Sequence, residues 1–337
     1  MRVLVTGHAG FIGYHTARRL LAEGHTVTGI DALTPYYDVS LKERRLARLG
    51  AFEQFRHEAL ALEDGAAVRA IFERDRPEVV IHLAAQAGVR YSIEAPQAYI
   101  DANIVGSFSI LEACRHVPVR HLMLASTSSA YGANDSFPFT ETDRAVHPIT
   151  LYAATKASME LMAHCYAHLF RIPTTAFRFF TVYGPWGRPD MAYYLFTRKI
   201  LAGEPIQIFN NGESYRDFTY IDDLVSAIRR LIDCVPAQAD ARADLAPVPG
   251  DTLSPVAPYR LVNIGAGRPE KLTDLVSEIE KSLGLTAKRE YLPLPKGDVV
   301  KTFARADLLQ HLTGDRPATP LSVGIPAFVD WYRSHIN

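Results

Sequence analysis

Tyr152 and Lys156 stand four residues apart in Tyr-Ala-Ala-Thr-Lys, a spacing that puts both side chains on one face of a helix. A free tyrosine is a poor base at neutral pH, because its phenol loses its proton near ~10. Lowering that value by about 3 units takes roughly 4 kcal/mol of preferential stabilisation of the phenolate. A nearby ammonium and a second positive charge can supply it together. Ser126-Thr127-Ser128-Ser129 is a run of hydroxyls, with Thr127 lying 152 − 127 = 25 residues before the tyrosine. Each feature alone has an ordinary reading. Tyr–Lys pairs line many helix surfaces, and hydroxyls often end strands.

A glycine turn gives them weight. Gly7, Gly10 and Gly13 follow the β-branched run Arg2–Thr6 and open a helical pattern. Such a turn brings backbone N–H groups and a helix N-terminus up to a pyrophosphate. Asp31 closes the second strand pattern, 31 − 13 = 18 residues after the last glycine. A carboxylate there accepts from ribose hydroxyls and repels a 2′-phosphate. Ala32 and Leu33 follow, with no adjacent arginine, so NAD is preferred over NADP.

These groups need a scaffold that delivers them to one edge. Strand patterns at Arg2–Thr6, His25–Asp31, Phe52–His57, Glu78–Leu83, His121–Ala125 and Thr174–Phe179 alternate with helical ones. The helices are expected at Phe11–Glu23, Ala66–Arg74, 96–116 and Leu151–Phe170. This rhythm predicts an α/β fold, a doubly wound parallel sheet of Rossmann type with its ligand crevice at the carboxyl edge. The rhythm breaks after Gly184. Residues 1–180 are expected to form the dinucleotide-binding domain, with segments at about 216–267 returning to it. Residues 181–215 and 285–337 are expected to form a smaller lobe. The Ala-, Asp- and Pro-rich stretch 235–258 reads as an insertion loop.

The bulk numbers exclude several classes. The chain has 337 residues, is 48% hydrophobic and 22% charged, and carries a net charge of −1. These values give no electrostatic case for nucleic acid or a membrane surface. No apolar run reaches the ~18 residues of a spanning helix. No signal peptide is read, so a cytoplasmic location is expected. Cys114, Cys165 and Cys234 have neither metal nor disulfide spacing. The first and second of these read as small core residues, and no metal is expected.

Together, the G-x-x-G-x-x-G turn, the hydroxyl cluster and Tyr152–Lys156 resemble the extended short-chain dehydrogenase/reductase family, and within it the nucleotide-sugar epimerases. The resemblance covers nearly the whole chain, thinning at 235–258 and the extreme C-terminus. It implies Tyr152 as base, Lys156 on the nicotinamide ribose and Thr127 on the reacting oxygen. It also implies cofactor contacts from Gly7, Gly10, Phe11, Ile12, Gly13, Asp31, Leu62, Ala84 and Ala85. The family usually has an Asp before a hydrophobic residue after the third strand, to hold the adenine amine. Ala61-Leu62 stands there, so either that contact is missing or the correspondence shifts by a few residues. Related dehydratases and decarboxylases carry an acid beside Thr127. Here Ser128 and Ser129 follow, which points towards epimerisation, since water elimination needs a general acid.

Two segments, Arg178-Phe-Phe-Thr-Val-Tyr-Gly-Pro-Trp-Gly-Arg-Pro-Asp-Met-Ala192 and Ala84-Ala-Gln-Ala-Gly-Val-Arg-Tyr-Ser92, closely resemble UDP-glucuronate 4-epimerases. The resemblance implies a UDP-sugar with a carboxylate on C5. Arg188 and Arg90 are the cationic candidates to receive it, with Ser128, Ser129 and Thr181 nearby. It places Phe209 on uracil, Arg216 on phosphate and Asp298 near the UDP ribose. It also implies a homodimer paired through helices near 96–116 and 151–170. The expected activity is NAD-dependent inversion at C4 through a 4-keto sugar. A UDP-hexose 4-epimerase shares every cofactor and base residue. A non-catalytic NAD-binding regulator on the same fold would need no base.

Overall fold

The computed structural model describes residues 1–238, 248–295 and 297–336. In chain order the first half runs β1 (Arg2–Thr6), α1 (Phe11–Ala22), β2 (Thr26–Ile30), α2 (Val39–Leu49), β3 (Phe55–Glu58), α3 (Gly65–Asp75) and β4 (Val79–His82). Then come α4 (Tyr91–Glu94), α5 (Pro96–Tyr99), α6 (Gly106–His116), β5 (His121–Thr127), α7 (Leu151–Phe170) and β6 (Thr174–Phe179). The second half adds β7 (Thr181–Tyr183), α8 (Ala192–Leu201), β8 (Ile206–Phe209), β9 (Tyr215–Tyr220), α9 (Ile221–Leu231) and β10 (Tyr259–Ile264). It closes with β11 (Pro269–Lys271), α10 (Leu272–Leu283), β12 (Arg289–Leu292), β13 (Lys301–Thr302), α11 (Asp307–Thr313) and α12 (Leu321–His335).

Seven strands form one sheet in the order β10-β6-β5-β4-β1-β2-β3. Every pair in it is parallel. Alternation along the strands splits their side chains between two cores. Val3, Val5, Ile81 and Met123 face one, and Leu4, Val80 and Leu124 face the other. Both faces are covered, which is why these strands read as apolar runs. The chain order reverses direction between β1 and β4. Their carboxyl ends therefore open the crevice in which such sheets bind ligands.

The first of these cores continues without a break into the C-terminal part, through Tyr183, Trp186, Tyr193 and Phe328. A second sheet lies there, with β11-β9-β13 and β7 paired to β9. This divides the expected return of 216–267. β10 does join the large sheet, but Arg216–Tyr220 belongs to β9 in the small one. The reason is Asp217, fully buried, whose carboxylate accepts from the backbone N–H groups of Ala266 (2.7 Å), Gly267 and Ala304 (3.0 Å each). α9, directly after β9, packs on α1.

Two other expectations are altered. The helix at 96–116 is interrupted by a π-helical segment, Ile100–Val105. Cys165 is exposed on α7, whereas Cys114 is buried. The insertion loop at 235–258 falls partly on 239–247, outside the described residues. Among the described residues no helix is long and apolar enough to cross a membrane.

Candidate active site

The glycine turn lies between the end of β1 and the first turn of α1. Gly7 has φ +73°, and a Cβ on it would come 2.7 Å from the Ala84 nitrogen. A Cβ on Gly13 would stand 2.1 Å from the Gly7 carbonyl oxygen. Only glycine lets helix, turn and β4 end approach so closely. No side chain caps the start of α1. Its first-turn N–H groups, without intrahelical acceptors, face the cleft lined by Gly10, Phe11, Ile12 and Gly13. Asp31 sits across the turn, accepting from Ala9 N at 3.0 Å and Leu33 N at 2.9 Å. This bare anion-accepting turn beside a fixed carboxylate fits a dinucleotide.

The same cleft is lined by Leu62, Ala84, Ala85, Thr127, Tyr152, Lys156 and Arg188. Leu60, Ala61 and Glu63 also lie on its wall. Position 61 therefore brings no carboxylate to that wall; the acid there is Glu63. Ala84 is fixed by its N–H, which donates to Thr6 Oγ1 at 3.1 Å. That hydroxyl is itself bound to His82 Nδ1 at 2.8 Å.

Tyr152 is in the first turn of α7, set by the Thr150 cap, whose hydroxyl accepts from Ala153 N at 3.2 Å. Burial raises the Tyr152 phenol above its ordinary value, while a hydrogen bond with Thr127 and the charge of Arg188 pull it back. Lys156 is buried, and burial draws its ammonium down to about 8 against the opposing charge of Glu160. The Lys156 Nζ donates to the Ala125 carbonyl at 2.8 Å. Thr127 and Arg188 are the groups that lower the Tyr152 phenol here, and Lys156 is held by the Ala125 carbonyl.

Beneath them is a buried network. Arg178 gives two hydrogen bonds to Glu160, at 3.0 and 2.7 Å, and Ser126 donates to the same carboxylate. This fixes the end of β5, where Thr127 lies. The π-helical segment has a comparable task. Its Asn103 accepts from Gln86 N (2.8 Å) and donates to Gln86 O (3.1 Å) and Thr155 Oγ1 (3.0 Å). It thereby ties the Ala84–Arg90 stretch to the Tyr152 helix, and such π segments recur at functional sites.

The other sequence candidates fall into two groups. Arg90, from the stretch before α4, meets Phe209 and Asp298 of the C-terminal half, where Arg216 joins them. The Arg90 guanidinium lies 4.5 Å from the Phe209 ring centroid. Asp298 accepts from Arg216 at 2.8 Å and Arg90 at 3.4 Å. Arg90 is thus grouped with the proposed uracil and phosphate residues, while Arg188 shares the cleft wall with Tyr152. Ser128 and Ser129 lie in a short 3-10 segment directly after Thr127, and Thr181 pairs with Phe218 at the start of β7.

Several residues went unread in the sequence. Tyr36 and Lys42 line the cleft. The fully buried Arg45 donates to Ala9 O (2.9 Å), Tyr37 Oη (2.8 Å), Trp186 O (2.6 Å) and Gly187 O (3.2 Å). The Tyr36-Tyr37 pair in a polar loop was the available signal for the first of these. Arg45 had none, because its partners are as far away as residue 187.

A family model, the NAD dependent epimerase/dehydratase family, matches residues 3–241. The chain belongs to that family. The probable UDP-glucuronate 4-epimerase of Rhizobium meliloti is 56% identical to this epimerase/dehydratase over 332 residues, 98% of this chain and 97% of its own. The crystal structure of UDP-glucuronic acid 4-epimerase from Bacillus cereus, in complex with UDP-glucuronic acid and NAD, superposes with a TM-score of 0.87 at 31% identity, covering 99% of each chain. UDP-glucose 4-epimerase of Thermotoga maritima, solved with UDP-glucose, gives 0.86 at 30%, covering 100% of each. The overall shape of this family member is therefore common to acid- and neutral-sugar epimerases. The choice between them lies in side chains.

Proposed function

We propose that this chain is a UDP-glucuronate 4-epimerase, interconverting UDP-glucuronate and UDP-galacturonate with NAD. The observation that carries the reading is a guanidinium, Arg188, on the same cleft wall as Tyr152 and Thr127. The similarity to the Rhizobium meliloti protein supports the same choice. NAD, when bound, supplies the acceptor and donor of hydride. Tyr152 takes the C4 hydroxyl proton as the C4 hydrogen leaves as hydride, giving the 4-keto sugar. Thr127 would hold the C4 oxygen, and Lys156 would hold the nicotinamide ribose. After the sugar turns over, hydride returns to its opposite face and Tyr152 gives the proton back. Phe209, Arg216 and Asp298 receive the UDP portion, with Arg90 completing that cluster. The neutral-hexose alternative shares all of this except the partner of the C5 substituent. The deciding experiment is NMR of the product from UDP-glucuronate with no added cofactor. UDP-galacturonate is expected; an unchanged acid with turnover of UDP-glucose would transfer the assignment to the neutral sugars.

Arg188→Ala tests the carboxylate contact. Losing one charge-assisted hydrogen bond costs ~1.5–3 kcal/mol, or roughly ten- to a hundred-fold in affinity. The ratio of the KM values for UDP-glucuronate and UDP-glucose should rise by that factor. Equal losses for both sugars would assign Arg188 to the diphosphate or to loop shape.

The reading includes a cytoplasmic homodimer. Three free cysteines suit a reducing compartment. Ile93, Val105 and Phe108, and Leu161 and Leu169 on α7, are exposed although apolar. All but Ile93, on the neighbouring α4, lie on the helical segments expected to pair, and α6 and α7 pack together. Patches of this kind mark interaction surfaces. Light scattering at micromolar concentration should give twice the chain mass, and Leu161→Glu with Leu169→Glu should give the monomer. A monomeric parent protein would remove the dimer from the reading.

A further inference from the structure

Arg188 does not meet the cleft as a bare cation. Its Nε donates to Asp190 Oδ1 at 3.0 Å and its Nη2 to Asp190 Oδ2 at 2.5 Å. Asp190 Oδ2 accepts in addition from the Tyr36 hydroxyl at 3.1 Å. Tyr36 is itself on the cleft wall, with the guanidinium 5.9 Å from its ring centroid. The loop is firmly held from behind. The Pro185 carbonyl accepts from His15 Nε2 at 2.9 Å, and the Trp186 and Gly187 carbonyls accept from Arg45. The Met191 N–H closes the turn onto Arg188 O at 3.2 Å. The cleft thus presents an arginine whose charge is already matched by a carboxylate of the same chain.

This has a chemical consequence that depends on the 4-epimerase reading. The two-point clamp occupies Nε and one hydrogen of Nη2, which leaves the other Nη2 hydrogen and the two on Nη1 for a ligand. An incoming sugar carboxylate would meet the guanidinium and the negative charge of Asp190 together. Inversion at C4 requires the keto sugar to leave one orientation and take up another between two hydride transfers. A group that grips the C5 carboxylate hard in the first orientation stabilises a ground state and slows the exchange. We propose that Asp190 is a specificity-determining residue, an internal carboxylate that weakens the hold of Arg188 on an acidic sugar so that the sugar can turn over.

The test is Asp190→Asn in the NAD holoenzyme, with UDP-glucuronate and UDP-glucose compared side by side. Removing the competing charge should lower the KM for UDP-glucuronate about ten-fold, the scale of one charge-assisted contact. Its kcat should fall by a similar factor, and the KM ratio between the two sugars should shift by the same ten-fold. A merely structural residue would lower kcat for both sugars without separating the KM values. Asp190→Ser, which also removes the charge, must move the acid substrate in the same direction. Adding Arg188→Ala must abolish the gain, since the gain acts through that guanidinium. A higher KM for UDP-glucuronate in Asp190→Asn would mean that Asp190 only orients Arg188, and the proposal fails. Unchanged constants overturn it equally. Calorimetric binding keeps the two readings separate. If the parent enzyme does not invert UDP-glucuronate, the functional reading falls. Whether Asp190→Asn binds that compound about ten-fold more tightly then decides the charge competition alone.

Discussion

Tyr152→Phe is expected to lower kcat by about a thousand-fold or more while the protein still carries NAD. Positioned general acid–base groups contribute roughly 10²–10⁴-fold, and here one group must act twice, first as base and then as acid. No other side chain on the wall is set up to replace it. The Lys156 ammonium already donates to the Ala125 carbonyl. The Tyr36 phenol is committed to Asp190, and burial pushes it up to about 12. Burial raises the Tyr152 phenol as well. Its ionisation at neutral pH therefore requires positive charge beyond that of Arg188. The substitution removes one oxygen and leaves Gly7, Gly10, Gly13 and Asp31 untouched, so nucleotide released on denaturation should match the parent protein. A rate within ten-fold of the parent would take the base role away from Tyr152.

Stability should fall steeply between pH 7 and pH 5. His15 and His82 are buried, and burial lowers each to about 3; His121, also buried, is lowered to about 4. The fold uses them as neutral rings. His121 Nδ1–H donates to the Ile232 carbonyl at 3.1 Å, leaving Nε2 to accept from Thr175 Oγ1 at 2.8 Å. A histidine depressed in the folded state contributes its full stability above its unfolded value of ~6.5, and loses it as pH falls towards the folded value. At pH 5 the loss is about 2 kcal/mol for each of the three, or about 6 kcal/mol in sum. Asp217 works in the opposite sense. Burial raises its carboxyl to about 6, so protonation below pH 6 favours the fold by about 1 kcal/mol at pH 5. The loss from these four groups together, about 5 kcal/mol, is a large share of the 5–15 kcal/mol typical of a folded protein. Urea unfolding at fixed protein concentration measures it. A stability unchanged from pH 7 to pH 5 would contradict the neutral-histidine description.

Features set by neighbours in the chain were readable in advance. The glycine turn, Asp31 and the Tyr152–Lys156 spacing are local patterns, and the strand patterns follow from burial on two faces. Features set by distant partners were not. Glu160 sits four residues after Lys156, but its meaning comes from Arg178 and Ser126 on two neighbouring strands. The segment Arg216–Tyr220 resembles a strand of the main sheet until Asp217 finds its three backbone donors. Ser128 and Ser129 were marked by the run of four hydroxyls and by the family resemblance. The 3-10 turn that holds them is set by Thr127, whose hydroxyl accepts from Ser129 N at 3.2 Å.

Arg45 has a consequence for protein engineering. Its buried charge is met by neutral oxygens alone, one in the glycine turn, two in the loop before Arg188 and the Tyr37 hydroxyl. Donor and acceptors lie on three separate stretches of sequence, and three of the acceptors are backbone carbonyls, so a change in the backbone path of one stretch strands the others. A loop graft at 184–191, the natural way to import another sugar preference, would leave a desolvated guanidinium short of acceptors unless Val39–Leu49 travelled with it. The unit of inheritance for substrate choice in this chain is therefore a discontinuous patch, and recombination points between residues 50 and 183 would cut through it.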